Sequence, residues 1–81
     1  MKLRIVTTQR VIEHEIDWIE LNTPAGNMII QHGHAPMMIE LRPGHELVFQ
    51  KSDGSQNSIK IMQGIAHATR YEIKILLPID L

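Results

Sequence analysis

The stretch GNMIIQHGHAPMMIELRPG, residues 26–44, decides the fold expected of this chain, because it sets two short apolar runs on either side of a turn. Four residues at its two later turns restrict or relax the backbone: Gly33, Pro36, Pro43 and Gly44. The glycines can adopt positive φ, and the prolines fix φ and keep the residue before them extended. The stretch therefore predicts two strands joined by a rigid, exposed corner, a place where binding residues are common.

Length and composition indicate one globular domain with an aliphatic core. A chain of 81 residues buries only about 60–65% of the surface that its unfolded form exposes. Hydrophobic residues make up 43% of it, which argues against disorder, and aromatic residues only 4%. The net charge of −1, with basic residues scattered along the chain, provides no basic surface for nucleic acid or anionic lipid.

Cysteine is absent, which excludes disulfides and thiolate metal sites. The N-terminal residues lack the apolar run of a signal peptide, and no stretch approaches the roughly 18 apolar residues of a membrane span. We therefore expect a soluble, cytoplasmic protein that touches a membrane only through a partner.

Most of the chain alternates between apolar and polar residues, as half-buried strands do. The turn at Asp53-Gly54 is typical of a hairpin. Strands are predicted at residues 2–7, 28–30, 37–41, 46–50, 58–62, 65–69 and 72–77. Together they predict an all-β fold, a flattened antiparallel β-sandwich or barrel of about eight to ten short strands.

Residues 11–21 fit two interpretations. Ile12, Ile16 and Ile19 are spaced i, i+4, i+7, which would form an apolar helix stripe. The many β-branched residues favour instead two strands with a kink near residues 13–15. Trp18, in the same segment, is equally compatible with a core position and with an interface anchor.

The sequence contains no phosphate-binding loop, nucleophile elbow or zinc-protease motif, so we expect no catalytic residues and no cofactor. A cluster of carboxylates is best interpreted as a solvated face: Glu13, Glu15, Asp17 and Glu20.

A metal site is the alternative function. His32 and His34 are two residues apart, and three further candidate ligands follow: Met37, Met38 and His45. His-x-His alone is a weak signal, and turn histidines bonded to nearby backbone are the favoured interpretation. One methionine of the pair 37–38 should point inward. Either the other is an adaptable apolar contact for a partner, or both are partly covered by loops. A stand-alone binding module with a His/Met metal site remains the alternative.

A resemblance to a known family is found in Gly33-His34-Ala35-Pro36 and in the residues that follow, 37–44. This segment resembles the signature of the epsilon subunit of rotary (F-type) ATP synthases, called delta in mitochondria. Ile29 and His32 depart from that signature, replacing a glycine and a proline. The resemblance extends to LRIVT (residues 3–7), Asp53-Gly54, and residues 63–65 and 73–76.

The resemblance implies the family's N-terminal domain, a ten-stranded β-sandwich acting as a non-catalytic central-stalk (rotor) subunit. Its partners would be the gamma subunit and the c-ring, on the cytoplasmic face of the inner membrane. The residues it implies as gamma-facing are Thr7, His34, Met38 and Ile39. Those implied as facing the c-ring are Asn22, Thr23, Asn27 and Met28. Asn27 stands at a position where relatives often have an acidic residue.

The chain ends where many relatives continue into two C-terminal helices, so we expect neither helix-mediated inhibition nor ATP binding.

Overall fold

The computed structural model describes residues 1–80, which form eight strands and no helix. The strands are β1 (Lys2–Val6), β2 (Val11–Thr23), β3 (Gly26–Gln31), β4 (Met37–Glu40), β5 (His45–Lys51), β6 (Gln56–Ile61), β7 (Ile65–Ala68) and β8 (Glu72–Leu76). The all-β prediction is confirmed, and each strand predicted outside residues 11–21 is present with its ends shifted by at most two residues. No helix in residues 1–80 is long and apolar enough to cross a membrane.

The strands form two layers that share β2. The first layer has the order β4-β7-β8-β1-β2, and in the second β2 lies between β3 and β5, with β6 beyond β5. Six of the seven strand pairs in residues 1–80 are antiparallel, and β1 with β8 is parallel. The sheet is therefore mixed rather than wholly antiparallel, because the first and last strands lie side by side in the same direction.

Strand β2 passes from one layer to the other without ending. Its first five residues pair with β1, and the remainder pairs with β3 and β5. The register shifts between Ile16 and Trp18, where Asp17 is the extra residue. The prediction of two strands with a kink near residues 13–15 was therefore wrong: one strand bends two residues later, at an irregularity of the kind that increases local twist.

The core lies between the layers and is almost entirely aliphatic. Along one inward row of the first layer, Ile39, Ala66, Ile75 and Ile5 are neighbours on adjacent strands. Phe49 is the one large aromatic side chain buried in residues 1–80, and its ring stacks on His14 at 5.4 Å between centroids. Trp18 lies half-buried beside Gln31 and Gln50, outside the core cluster, so it is not core filler.

The predicted turns have the backbone that their residues indicated. Gly33 and Gly44 have φ of 84° and 76°, which only glycine adopts readily. The β5–β6 hairpin turns at Asp53-Gly54, as expected. Gly64 serves a different purpose: a Cβ built there would lie 2.7 Å from Leu77 Cδ2, so only glycine fits without a shift.

Candidate functional site

An open groove of about 980 Å³ lies on the outer face of the first layer. We call it the apolar groove and define it by its outward side chains: Val6, Met38, Met62, Ile65 and Leu76. Four of these five side chains are well exposed: Met38 by 69%, Met62 by 58%, Ile65 by 44% and Leu76 by 40%. Exposed apolar side chains gathered in one place commonly mark a binding surface.

Strand register explains why these residues meet. One cross-strand row over β4, β7, β8 and β1 contains Glu40, Ile65, Leu76 and Val6. Alternation directs this row away from the core, because the neighbouring row contains the buried Ile39, Ala66, Ile75 and Ile5. The apolar groove is thus a hydrophobic row on a face that would ordinarily be polar. Met62, Ile65 and Leu76 were not predicted from the sequence as surface contacts. The one available signal was the continuous apolar run at residues 75–77, where alternation breaks down.

Three of the four residues implied as gamma-facing line the groove, but they differ in exposure. Met38 stands out into it, while its neighbour Met37 packs against the core, as expected of a Met pair on a strand. Ile39 is only 8% exposed and belongs to the core cluster. This burial corrects the expectation that the Ile39 side chain is exposed on the gamma-facing surface. Its neighbour Met38 is the exposed side chain.

Thr7, directly after β1, makes hydrogen bonds that fix the rim of the groove. Its Oγ1 accepts hydrogen bonds from the backbone N–H of Gln9 and Arg10 and donates to Asp80 Oδ1 at 2.8 Å. Arg10 donates to both carboxylate oxygens of Asp80, at 3.0 and 2.8 Å, and this hydrogen-bonded carboxylate raises the pKa of the guanidinium. The chain after β8 is thereby held beside the groove, so its rim is well defined.

His34 lies outside the groove, in the exposed corner before β4. Its backbone N–H donates to Gln31 O at 3.2 Å, and its Nδ1 lies 2.9 Å from Ala35 O. Gly33 N–H donates to Arg70 O at 2.9 Å, which fixes the corner on the β7–β8 turn. The prediction of an exposed corner is confirmed, and so is the interpretation of His34 as a turn histidine bonded to nearby backbone.

The candidate metal ligands do not converge. The His32 ring contacts Tyr71 at 5.5 Å between centroids, whereas His45 begins β5 opposite Ile61. In residues 1–80 no three His, Asp or Glu side chains are placed to hold a metal ion together. The geometry therefore offers no specific observation in favour of the metal-site alternative.

The residues implied as facing the c-ring meet at the β2–β3 hairpin, where Asn22 pairs with Asn27. Thr23 Oγ1 donates to Gly26 O at 2.8 Å and accepts from Ala25 N, so it closes the turn. Met28 packs against the core, which leaves it little surface for a partner. Asn27 is exposed, and its amide lies 3.4 Å from Asn22 Oδ1, a contact weak enough to be exchanged for a partner.

Three of the four clustered carboxylates are solvated, as predicted, whereas Glu20 is half-buried. Glu13 lies within 3.5 Å of Lys2 and 3.7 Å of Arg4, and Glu15 accepts from the N-terminal ammonium at 3.0 Å. Glu13, Glu15 and Asp17 are all exposed. Exposed ion pairs of this kind contribute little stability, and none of these carboxylates faces the apolar groove.

The fold and the site thus define a two-layer β-sandwich domain with an exposed apolar groove and a polar hairpin tip. The chain belongs to the family described as "ATP synthase, Delta/Epsilon chain, beta-sandwich domain", whose model matches residues 1–78.

Two solved structures with the same fold are of mitochondrial ATP synthases. The match in the Euglena gracilis enzyme (OSCP/F1/c-ring) has a TM-score of 0.84 at 23% identity and covers 93% of this chain. That in the Tetrahymena thermophila enzyme (central stalk/c-ring) has a TM-score of 0.80 at 15% identity and covers 96% of it. The chain spans 48% and 63% of those two chains. A search among curated proteins found no significant match.

Proposed function

We propose that this domain is a central-stalk component of an F-type ATP synthase, joining the gamma subunit to the c-ring during proton- or sodium-driven ATP synthesis. Family membership supports this role, and both similar structures are of ATP synthase assemblies that include a c-ring. The domain would reach the membrane only through the complex, at the cytoplasmic face of the inner membrane.

Gamma would bind in the apolar groove. The observation that carries this proposal is the exposure of Met38 and Ile65 on a sheet face where alternation ordinarily places polar residues. Their burial against a partner would be favourable, and interfaces commonly combine such an apolar centre with a polar rim. Thr7 and Glu40 supply polar groups at the edge of the groove. His34, in the corner before β4, would extend the same contact.

The c-ring would meet the tip of the β2–β3 hairpin. Asn27 offers an uncharged amide there, so we propose a neutral hydrogen bond rather than the charge-assisted one that a carboxylate would make. Asn22 would support it, because its own amide is anchored to Glu46 O at 3.0 Å and keeps the hairpin in place.

The role would be mechanical rather than catalytic. The groove is lined mainly by aliphatic side chains, methionines and prolines, with Glu40 as its one carboxylate in residues 1–80. A sandwich whose layers share β2 and a continuous core transmits force as one body, since packed interiors deform little.

Crosslinking tests the orientation. A cysteine introduced by Asn27→Cys should crosslink to the polar loops of the c-ring in the assembled complex, and the natural absence of cysteine keeps the reaction specific. Ser58→Cys is a matched control, because Ser58 is also exposed but lies on β6, away from the hairpin tip. Absence of a crosslink from position 27 in assembled complexes, or an equal one from position 58, would refute the proposed contact.

A further inference from the structure

The five methionines of the chain fall into two groups. Three of them pack against the core and are partly covered: Met1, Met28 and Met37. Met38 and Met62 are 69% and 58% exposed, and both line the apolar groove. The two most accessible thioether sulfurs therefore lie on the surface that the domain would use to bind its partner.

These two sulfurs are also the atoms of the groove that peroxides attack most readily. Ile65, Leu76 and Val6 are saturated hydrocarbons, and the sequence contains no thiol to compete for an oxidant. Methionine thioethers oxidise to sulfoxides, which converts a flexible apolar side chain into a polar one.

We propose that Met38 and Met62 form a hydroperoxide-sensitive modification site, whose oxidation weakens binding in the apolar groove. The sulfur lone pair attacks the terminal oxygen of the hydroperoxide and the O–O bond breaks. A sulfoxide S–O bond forms, and the remaining oxygen takes up the proton and leaves as water or an alcohol. Sulfur loses two electrons and the peroxide gains them. The site belongs to the free domain, since a partner seated in the groove would cover both sulfurs.

The effect on binding follows from desolvation. A sulfoxide oxygen in water accepts hydrogen bonds, and most of the side chains that line the groove are apolar and cannot replace those bonds when a partner seals the contact; Thr7, Thr8 and Gln63 are its only side-chain donors among the described residues. Burial of an unsatisfied acceptor is costly, and we expect affinity for gamma to fall about tenfold on oxidation of both methionines. This part of the inference depends on the proposed function, whereas the selectivity of oxidation depends only on exposure.

Limited hydrogen peroxide treatment of the full chain, followed by peptide-resolved mass spectrometry, tests selectivity. Met38 and Met62 should oxidise several-fold faster than the three methionines on the core, as exposure dictates. Equal rates at all five positions would overturn the assignment. Bound gamma should slow oxidation at these two positions and leave the other three unchanged.

Binding of gamma before and after oxidation tests the consequence. In the variant Met38→Leu/Met62→Leu, the affinity for gamma should be the same before and after peroxide treatment, whatever its starting value, because leucine has no thioether to oxidise. Met28→Leu/Met37→Leu is the matched control and should remain sensitive, and methionine sulfoxide reductase should restore binding by wild-type protein. Sensitivity that persists in the groove variant would refute the proposal. Failure of the unoxidised protein to bind gamma would instead refute the proposed function, together with the effect on affinity, and the mass spectra would still decide the site of oxidation.

Discussion

Two adjacent residues, Met38 and Ile39, should give opposite results when each is replaced by alanine. Met38 is 69% exposed in the groove, whereas Ile39 is 8% exposed in the core. Full burial of a Met side chain is worth about 1.5–3 kcal/mol, so burial of the exposed two thirds against a partner contributes about 1–2 kcal/mol. Met38→Ala should therefore weaken gamma binding about 5- to 30-fold, and it should change stability by less than about 0.5 kcal/mol.

Ile39→Ala should act on the fold. Removal of most of a buried Ile side chain costs about 2–5 kcal/mol, a large part of the roughly 4–12 kcal/mol expected for a domain of this length. A charged substitution at position 39 would be still more disruptive, so it would report unfolding rather than loss of a contact. Position 38 is the appropriate place to perturb the interface.

Urea denaturation and calorimetric titration with gamma separate the two effects. Lys60→Ala serves as the control, because Lys60 is exposed on β6 and does not line the apolar groove. The reasoning is refuted if Met38→Ala binds gamma as tightly as the control does, or if Ile39→Ala keeps the wild-type denaturation midpoint.

Two further predictions concern the scaffold. Gly64→Ala should lower the free energy of unfolding by about 1–3 kcal/mol, because the added Cβ would lie 2.7 Å from Leu77 Cδ2 and 3.1 Å from Leu76 O; an unchanged urea midpoint would contradict this. In the β5–β6 turn, the Ser55 hydroxyl and backbone N–H both donate to Asp53 Oδ1, at 2.6 and 2.9 Å, and lower the pKa of Asp53. Since the folded pKa lies below the unfolded one, this stabilising contribution is present above the unfolded pKa and is lost as pH falls through the folded pKa. NMR titration should find Ser55→Ala raising the Asp53 pKa, and a pKa that does not move would argue against the hydroxyl as the main cause.

The strands and turns were predictable because their signals are local. Alternation specifies which residues of β1 face the core, such as Leu3 and Ile5. The dipeptide Asp53-Gly54 specifies the turn of the β5–β6 hairpin. The parallel pairing of β1 with β8 was not predictable, since it joins residues about seventy positions apart and depends on the path of every strand between them. The position of the bend in β2 was missed for a related reason: the bend lies where the strand exchanges one pairing partner for two others, and its own sequence carries no glycine or proline there.

Three of the four residues that the resemblance implied as gamma-facing line the groove, but the resemblance did not specify which of their side chains are exposed there. Residues 37–39 are all apolar, so the run fits either orientation of the strand, and composition alone cannot choose between Met38 and Ile39. The pairing of β4 with β7 decides which of the two side chains faces the core. Ile39 lies opposite Ala66, whose small side chain leaves room for it inside, while Met38 lies opposite the half-exposed His67. A one-residue slip of β4 against β7 would reverse the two, burying Met38 and exposing Ile39. The apolar side chains exposed in the groove are thus set by the register of a four-residue edge strand, which makes the Met38 and Ile39 pair a test of the fold and of the proposed gamma interface together.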